Sequence, residues 1–163
     1  MSITGTVTTS RSGRDLTLHR TFRAPIDDVW AAVTESERLD RWIGRYDGAA
    51  SAGATVRFTM TAEDGDPEGD IRILACDAPR HLAVEMVDEH GTWNIELGLV
   101  ESGGVTTLTF VQHLTPEVDV SSVGPGWEFY LDALVAAETG GETPSFDSYF
   151  PAMQEPYRRA AGV

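Results

Sequence analysis

Apolar and polar residues alternate with a period of two along much of the chain, the pattern of strands that bury one face. Leu16, Leu18 and Phe22 share a face, as do Val56, Phe58 and Met60, then Ile71 and Ile73, then Leu82, Val84 and Met86. Trp93, Ile95, Leu97 and Leu99 stand opposite Thr92, Asn94, Glu96 and Gly98, and Leu108 with Phe110 marks a sixth run. Between the runs lie Asp64-Gly65-Asp66-Pro67, Asp77-Ala78-Pro79, Glu89-His90-Gly91 and Ser102-Gly103-Gly104, turn chemistry that predicts hairpins and hence an antiparallel sheet. One face of such a sheet is polar, and too few strands remain to cover the other with a second sheet. Helices must cover it.

Two short helices fit between the first and second runs. Pro25 suits a helix start, with Asp27 and Asp28 in the first turn and Val29, Trp30 and Val33 on one face. Thr34 with Glu37 then reads as a capping box for a further turn that points Leu39 and Trp42 inward. A long helix is predicted from Val123 to Glu138, where Trp127, Tyr130, Leu131, Leu134 and Val135 form an apolar stripe that Gly140-Gly141 terminates. Beyond it, Phe146, Tyr149, Phe150, Met153 and Tyr157 also recur at helical spacing, while Pro151 and Pro156 limit regularity. Residues 141–163 are therefore expected as a broken helical extension packed on the body or on a neighbouring protomer, which leaves a homodimer open. With no internal repeat or dividing linker, residues 1–163 read as a single α+β domain.

Charge and composition narrow the function. The net charge of -14 repels a phosphate backbone and disfavours anionic membranes, which excludes nucleic acid as the expected partner. No apolar run reaches the roughly 20 residues needed to span a bilayer. All 12 basic residues are arginine, so Schiff-base lysines and the lysine of a phosphate-binding loop are excluded. The opening residues lack an apolar signal core, which points to the cytoplasm, where the lone Cys76 would stay reduced and pack as a small hydrophobe. His19, His81, His90 and His113 show no metal-ligand spacing, and no nucleotide or hydrolase motif occurs. Neither metal nor cofactor is expected.

The runs Leu18-His19-Arg20-Thr21-Phe22-Arg23-Ala24-Pro25, Val29-Trp30-Ala31-Ala32-Val33-Thr34 and Leu39-Asp40-Arg41-Trp42-Ile43-Gly44 resemble the activator of Hsp90 ATPase homologue type within the START-like, Bet v 1-like superfamily. Gly126-Trp127 followed by Tyr130-Leu131-Asp132-Ala133-Leu134 is similar to the family's opening of its long helix. The resemblance implies a helix-grip fold, a curved sheet of six or seven strands wrapped around the C-terminal helix with a ligand cavity between them. Family members often carry a histidine shortly before Gly-Trp. Here Ser121-Ser122-Val123-Gly124-Pro125 stands in its place, and no role for that histidine carries over.

Polar residues in an apolar register are the next signal, because burying one is costly without a partner. Arg20 falls between Leu18 and Phe22, and Gln112 follows Leu108 and Phe110. The family topology makes the first and last strands neighbours, so Arg20 and Gln112, with Tyr130, could hold a ligand head group at one end of the cavity. Alternatively, Arg20 pairs with a carboxylate or reaches out to water. Trp42, Phe58, Met60, Met86, Trp93, Leu97, Phe110, Trp127 and Leu134 would line the pocket, or would be plain core. Tyr130 and His113 are the candidate acid or base groups, with Glu128 and Asp132 placed on the wet side of the helix. The expected function is binding of a small hydrophobic molecule of lipid, polyketide or aromatic type. The alternatives are a cyclase or hydrolase-like enzyme and a co-chaperone-like interaction module.

Overall fold

The computed structural model describes residues 2–11, 13–88 and 91–162. The turn read at Glu89-His90 lies outside them. Among the described residues, eight antiparallel strands form one sheet in the order β1-β2-β8-β7-β6-β5-β4-β3. They are β1 (Thr6–Ser10), β2 (Gly13–Phe22), β3 (Arg45–Asp47), β4 (Thr55–Thr59), β5 (Glu68–Asp77), β6 (His81–Asp88), β7 (Gly91–Ser102) and β8 (Val105–Leu114). The six runs read from alternation are six of these strands. The additional two, β1 and β3, are the outer strands of the sheet.

Helices α1 (Ile26–Thr34) and α2 (Ser36–Leu39) connect β2 to β3, and α3 (Val120–Thr139) follows β8. Gly140, in the left-handed region at φ 73°, ends α3 as its sequence position predicts. The N-terminus differs from expectation by one turn. Asp119 caps the helix by accepting from the Ser121 backbone N–H at 3.0 Å, so Ser121-Ser122, which reads as loop, is helical. The capping box is also corrected. Thr34 is the last residue of α1 and its hydroxyl donates back to the Trp30 carbonyl at 2.6 Å, leaving Glu35 at the start of α2 without a side-chain cap.

The core fills the space between β2, β8 and α3. Leu16, Leu18, Phe22, Leu108, Phe110, Leu131 and Leu134 are all buried there, against Val29 and Val33 from α1. The extension folds back on its own chain. A 3-10 turn at Phe146–Ser148 leads to α4 (Gln154–Ala160), and Tyr149, Met153 and Tyr157 are buried. Gly124 permits this, since a Cβ there would lie 2.6 Å from the Tyr157 ring. Cys76 corrects another expectation: β5 slips register between Ile73 and Ala75, and Cys76 pairs with Leu82 near the strand end, where it is exposed. Among the described residues no helix is long and apolar enough to cross a membrane.

Candidate functional site

Helix α3 covers the β2–β8 half of the sheet but leaves the concave faces of β5, β6 and β7 open. Ile71, Val84, Met86, Trp93, Ile95 and Leu97 are consequently only half-buried, although their alternation marks them as inward-facing. They line a cavity of about 1520 Å³, closed from the other sides by Trp42 and Ile43 after α2, by Trp127, Phe129 and Tyr130 of α3, and by Phe146 of the extension. Concave sites of this apolar kind hold small molecules, commonly in about 300–1,000 Å³.

Of the residues read from sequence, Trp42, Phe58, Met60, Met86, Trp93, Leu97, Phe110, Trp127 and Tyr130 line this cavity. Leu134 does not; it is fully buried core. The Phe110 and Trp127 rings meet at 4.4 Å between centroids, and Trp127 and Tyr130 at 5.8 Å, so β8 and α3 together present a continuous aromatic surface.

The expected grouping of Arg20, Gln112 and Tyr130 does not form. In the antiparallel register Gln112 pairs with Leu16 and Arg20 pairs with Leu108, which separates the two side chains by four residues, about 13 Å along the strands. Gln112 is buried and accepts from the Trp127 indole N–H at 2.7 Å, which fixes the indole against the sheet. Tyr130 instead donates to Glu63, in the loop between β4 and β5, at 2.7 Å. Burial, reinforced by that carboxylate, pushes the Tyr130 phenol well above its ordinary value, so it remains a proton donor at neutral pH.

Arg20 pairs with carboxylates, as the alternative reading has it. Its guanidinium donates to Glu128 at 3.1 Å, to Asp132 at 3.0 Å, to the Thr4 hydroxyl and to the His19 carbonyl. The wet-side assignment of Glu128 is thereby corrected. Its side chain is 1% exposed, and it also accepts from the backbone N–H of Thr4 and Gly5, the Thr4 hydroxyl and the Tyr157 hydroxyl. Burial alone would raise its pKa, but these donors outweigh burial and hold it below the usual carboxylate range. Asp132 accepts from Tyr149 at 2.7 Å as well. This network ties the N-terminal segment, β2, α3 and the extension together, outside the cavity.

His113 likewise lies away from the cavity. It alternates with Gln112 on β8 and so faces the convex side, where Glu96 and Asp15 flank its two ring nitrogens and His81 meets the other Glu96 oxygen at 2.9 Å. Partial burial opposes the His113 cation, but the two carboxylates outweigh it and raise its pKa; bonding to His113 and His81 lowers that of Glu96. A raised histidine contributes stability that is complete below its unfolded value of about 6.5 and fades as pH climbs through the folded value. Urea unfolding of His113→Gln should therefore show a flatter loss of stability than the parent chain as pH rises above about 6.5. Equal slopes would remove this role.

Over residues 23–138 the chain matches the family described as Activator of Hsp90 ATPase homolog 1-like protein. No curated protein matches it. Among solved structures, CalU16 from Micromonospora echinospora is 28% identical with a TM-score of 0.76, covering 98% of this chain and 96% of CalU16. DynU16, a protein in the dynemicin biosynthetic locus, is 22% identical with a TM-score of 0.68, covering 81% of this chain and 50% of that one. EF2215 from Enterococcus faecalis is 18% identical with a TM-score of 0.76, covering 95% and 88%. The latter two are likenesses of fold.

Proposed function

Since the chain belongs to the Activator of Hsp90 ATPase homolog 1-like family, matched over residues 23–138, and opens a cavity where its fold sets sheet against C-terminal helix, we propose that it binds a small hydrophobic molecule there. The observation that carries this reading is the set of inward-facing aromatic and aliphatic residues on β5–β7 that remain half-buried around about 1520 Å³. Apolar surface of that extent is unfavourable in water and gains from a guest by about 25 cal/mol per Å² covered. The aromatic and aliphatic lining suits a guest of lipid, polyketide or aromatic type.

Binding without turnover is the favoured reading. His113 faces away from the cavity, and the Tyr130 phenol is held protonated, which suits donation and opposes a role as base.

N-phenyl-1-naphthylamine, a neutral fluorophore that brightens in apolar surroundings, tests the reading. Titration should give a saturable rise with a one-to-one complex retained in native mass spectrometry. A linear, unsaturable signal with no retained mass would sink it.

A further inference from the structure

Several polar groups of the cavity wall are already engaged, while the carboxylates Glu35, Glu63, Asp64 and Glu68 stand exposed along it. The Trp127 indole donates to the buried Gln112 at 2.7 Å, the Trp42 indole to the Ala32 carbonyl at 3.1 Å, and the Tyr46 hydroxyl to the Thr34 carbonyl at 2.8 Å. Arg57, the arginine that lines the cavity, is paired with Asp70 at 3.2 Å. Arg20 lies outside, bound to Glu128 and Asp132.

Glu63 differs. One of its oxygens accepts from Tyr130 at 2.7 Å, and the other makes no hydrogen bond to a described residue. Its loop is pinned: Ala62 N–H donates to the Ile43 carbonyl at 3.3 Å, Glu63 N–H to the Met60 carbonyl at 3.1 Å, and the Thr61 hydroxyl to Asp40. The carboxylate is thus placed before any ligand arrives, at the mouth of an apolar cavity, beside the aromatic surface of Trp127 and Tyr130.

Building on the binding function proposed above, we propose that Glu63, oriented by Tyr130, is the polar handle of the cavity and selects aromatic ligands that carry an amine over neutral or anionic ones. An ammonium N–H would form a charge-assisted hydrogen bond to the free Glu63 oxygen, with the nearby rings favouring the cation. An anion there would meet Glu63 and the neighbouring carboxylates Asp64 and Glu68, with Arg57 already neutralised by Asp70. Deprotonation of Tyr130 is opposed by burial and by Glu63, so the phenol keeps its donor role at neutral pH.

Competition against N-phenyl-1-naphthylamine by three ligands sharing one ring system, 1-naphthylmethylamine, 1-methylnaphthalene and 1-naphthoate, tests this at pH 7. The expected order of affinity is amine, neutral, acid, with at least about tenfold between the extremes. Glu63→Gln, an exposed change whose folding is checked by its melting curve, should shrink that span to within about threefold. Glu155→Gln, a charge removed on α4, should leave the order intact. Competition by naphthoate equal to the amine, or a Glu63→Gln variant with the parent's order, overturns the inference while N-phenyl-1-naphthylamine binding still stands. Loss of that binding in the parent chain would instead remove the cavity reading and this inference together.

Discussion

Glu128→Ala is expected to destabilise the fold by about 3–5 kcal/mol, a large part of the 5–15 kcal/mol typical of a domain. Glu128 is buried to 1% side-chain exposure and accepts from the Thr4 and Gly5 backbone, the Thr4 and Tyr157 hydroxyls, and Arg20. Truncation strands the buried donors, the Gly5 N–H and the Tyr157 hydroxyl, and the Arg20 cation loses its least exposed partner while keeping Asp132. The cost therefore comes mainly from what is left unpaired. Tyr157→Phe, which keeps the ring against Gly124 and removes one donor, should cost only about 1–1.5 kcal/mol. Acid tests the same residue from another side. Because the Glu128 pKa is lowered in the fold, its contribution is present above the unfolded value of about 4.3 and fades as pH falls through the folded value. The gap between parent and Glu128→Ala in urea unfolding should narrow on acidification. A gap below about 1 kcal/mol at pH 7 would mean that the network does not hold the ends of the chain to α3.

That network also marks where sequence patterning stops being informative. The strands of the sheet interior were legible because each buries one face, and burial writes a period of two into the sequence. The outer strands were not. Thr6–Ser10 carries Val7 as its sole apolar residue, and Arg45–Asp47 is three residues long, so neither has enough buried positions to show a period. Similarly, the apolar stripe of α3 identified the face toward the cavity, whereas the face through Ser121, Gly124 and Glu128 is covered by the N-terminal segment and the extension. Small and charged residues on a helix ordinarily signal water. Here they admit a tyrosine and satisfy an arginine, which only long-range contacts reveal.

Register explains the remaining misses at the site. Alternation identified Arg20 and Gln112 as inward-facing, but their distance depends on which residues pair, and antiparallel pairing through Leu18 and Phe110 carries them apart. The same alternation, followed one residue further, places His113 on the convex face opposite Gln112. Glu63 had no signal at all, since an exposed acidic loop residue resembles any other until the fold brings Tyr130 to it. The half-buried state of Trp93, Ile95 and Leu97 was equally hidden, because an apolar residue reads the same whether its partner is core or cavity.

Gly126 offers a way to separate cavity from core. It lies inside α3, lines the cavity, and a Cβ built on it would meet no atom within 4 Å. Glycine within a helix costs about 0.5–1 kcal/mol relative to alanine, so Gly126→Ala should raise stability by that amount. Gly126→Trp should keep part of the helix gain, since its Cβ meets no atom within 4 Å and the cavity it lines offers room for the ring, yet it occupies the volume beside Trp127 that a guest needs. Affinity for N-phenyl-1-naphthylamine should fall at least about tenfold while the urea midpoint stays at or above that of the parent. A core position responds the other way: overpacking costs about 1–3 kcal/mol. Loss of stability in Gly126→Trp would thus show a filled interior, and unchanged affinity would place the guest elsewhere. Lost binding with retained stability is the result that only an open cavity between α3 and β5–β7 produces.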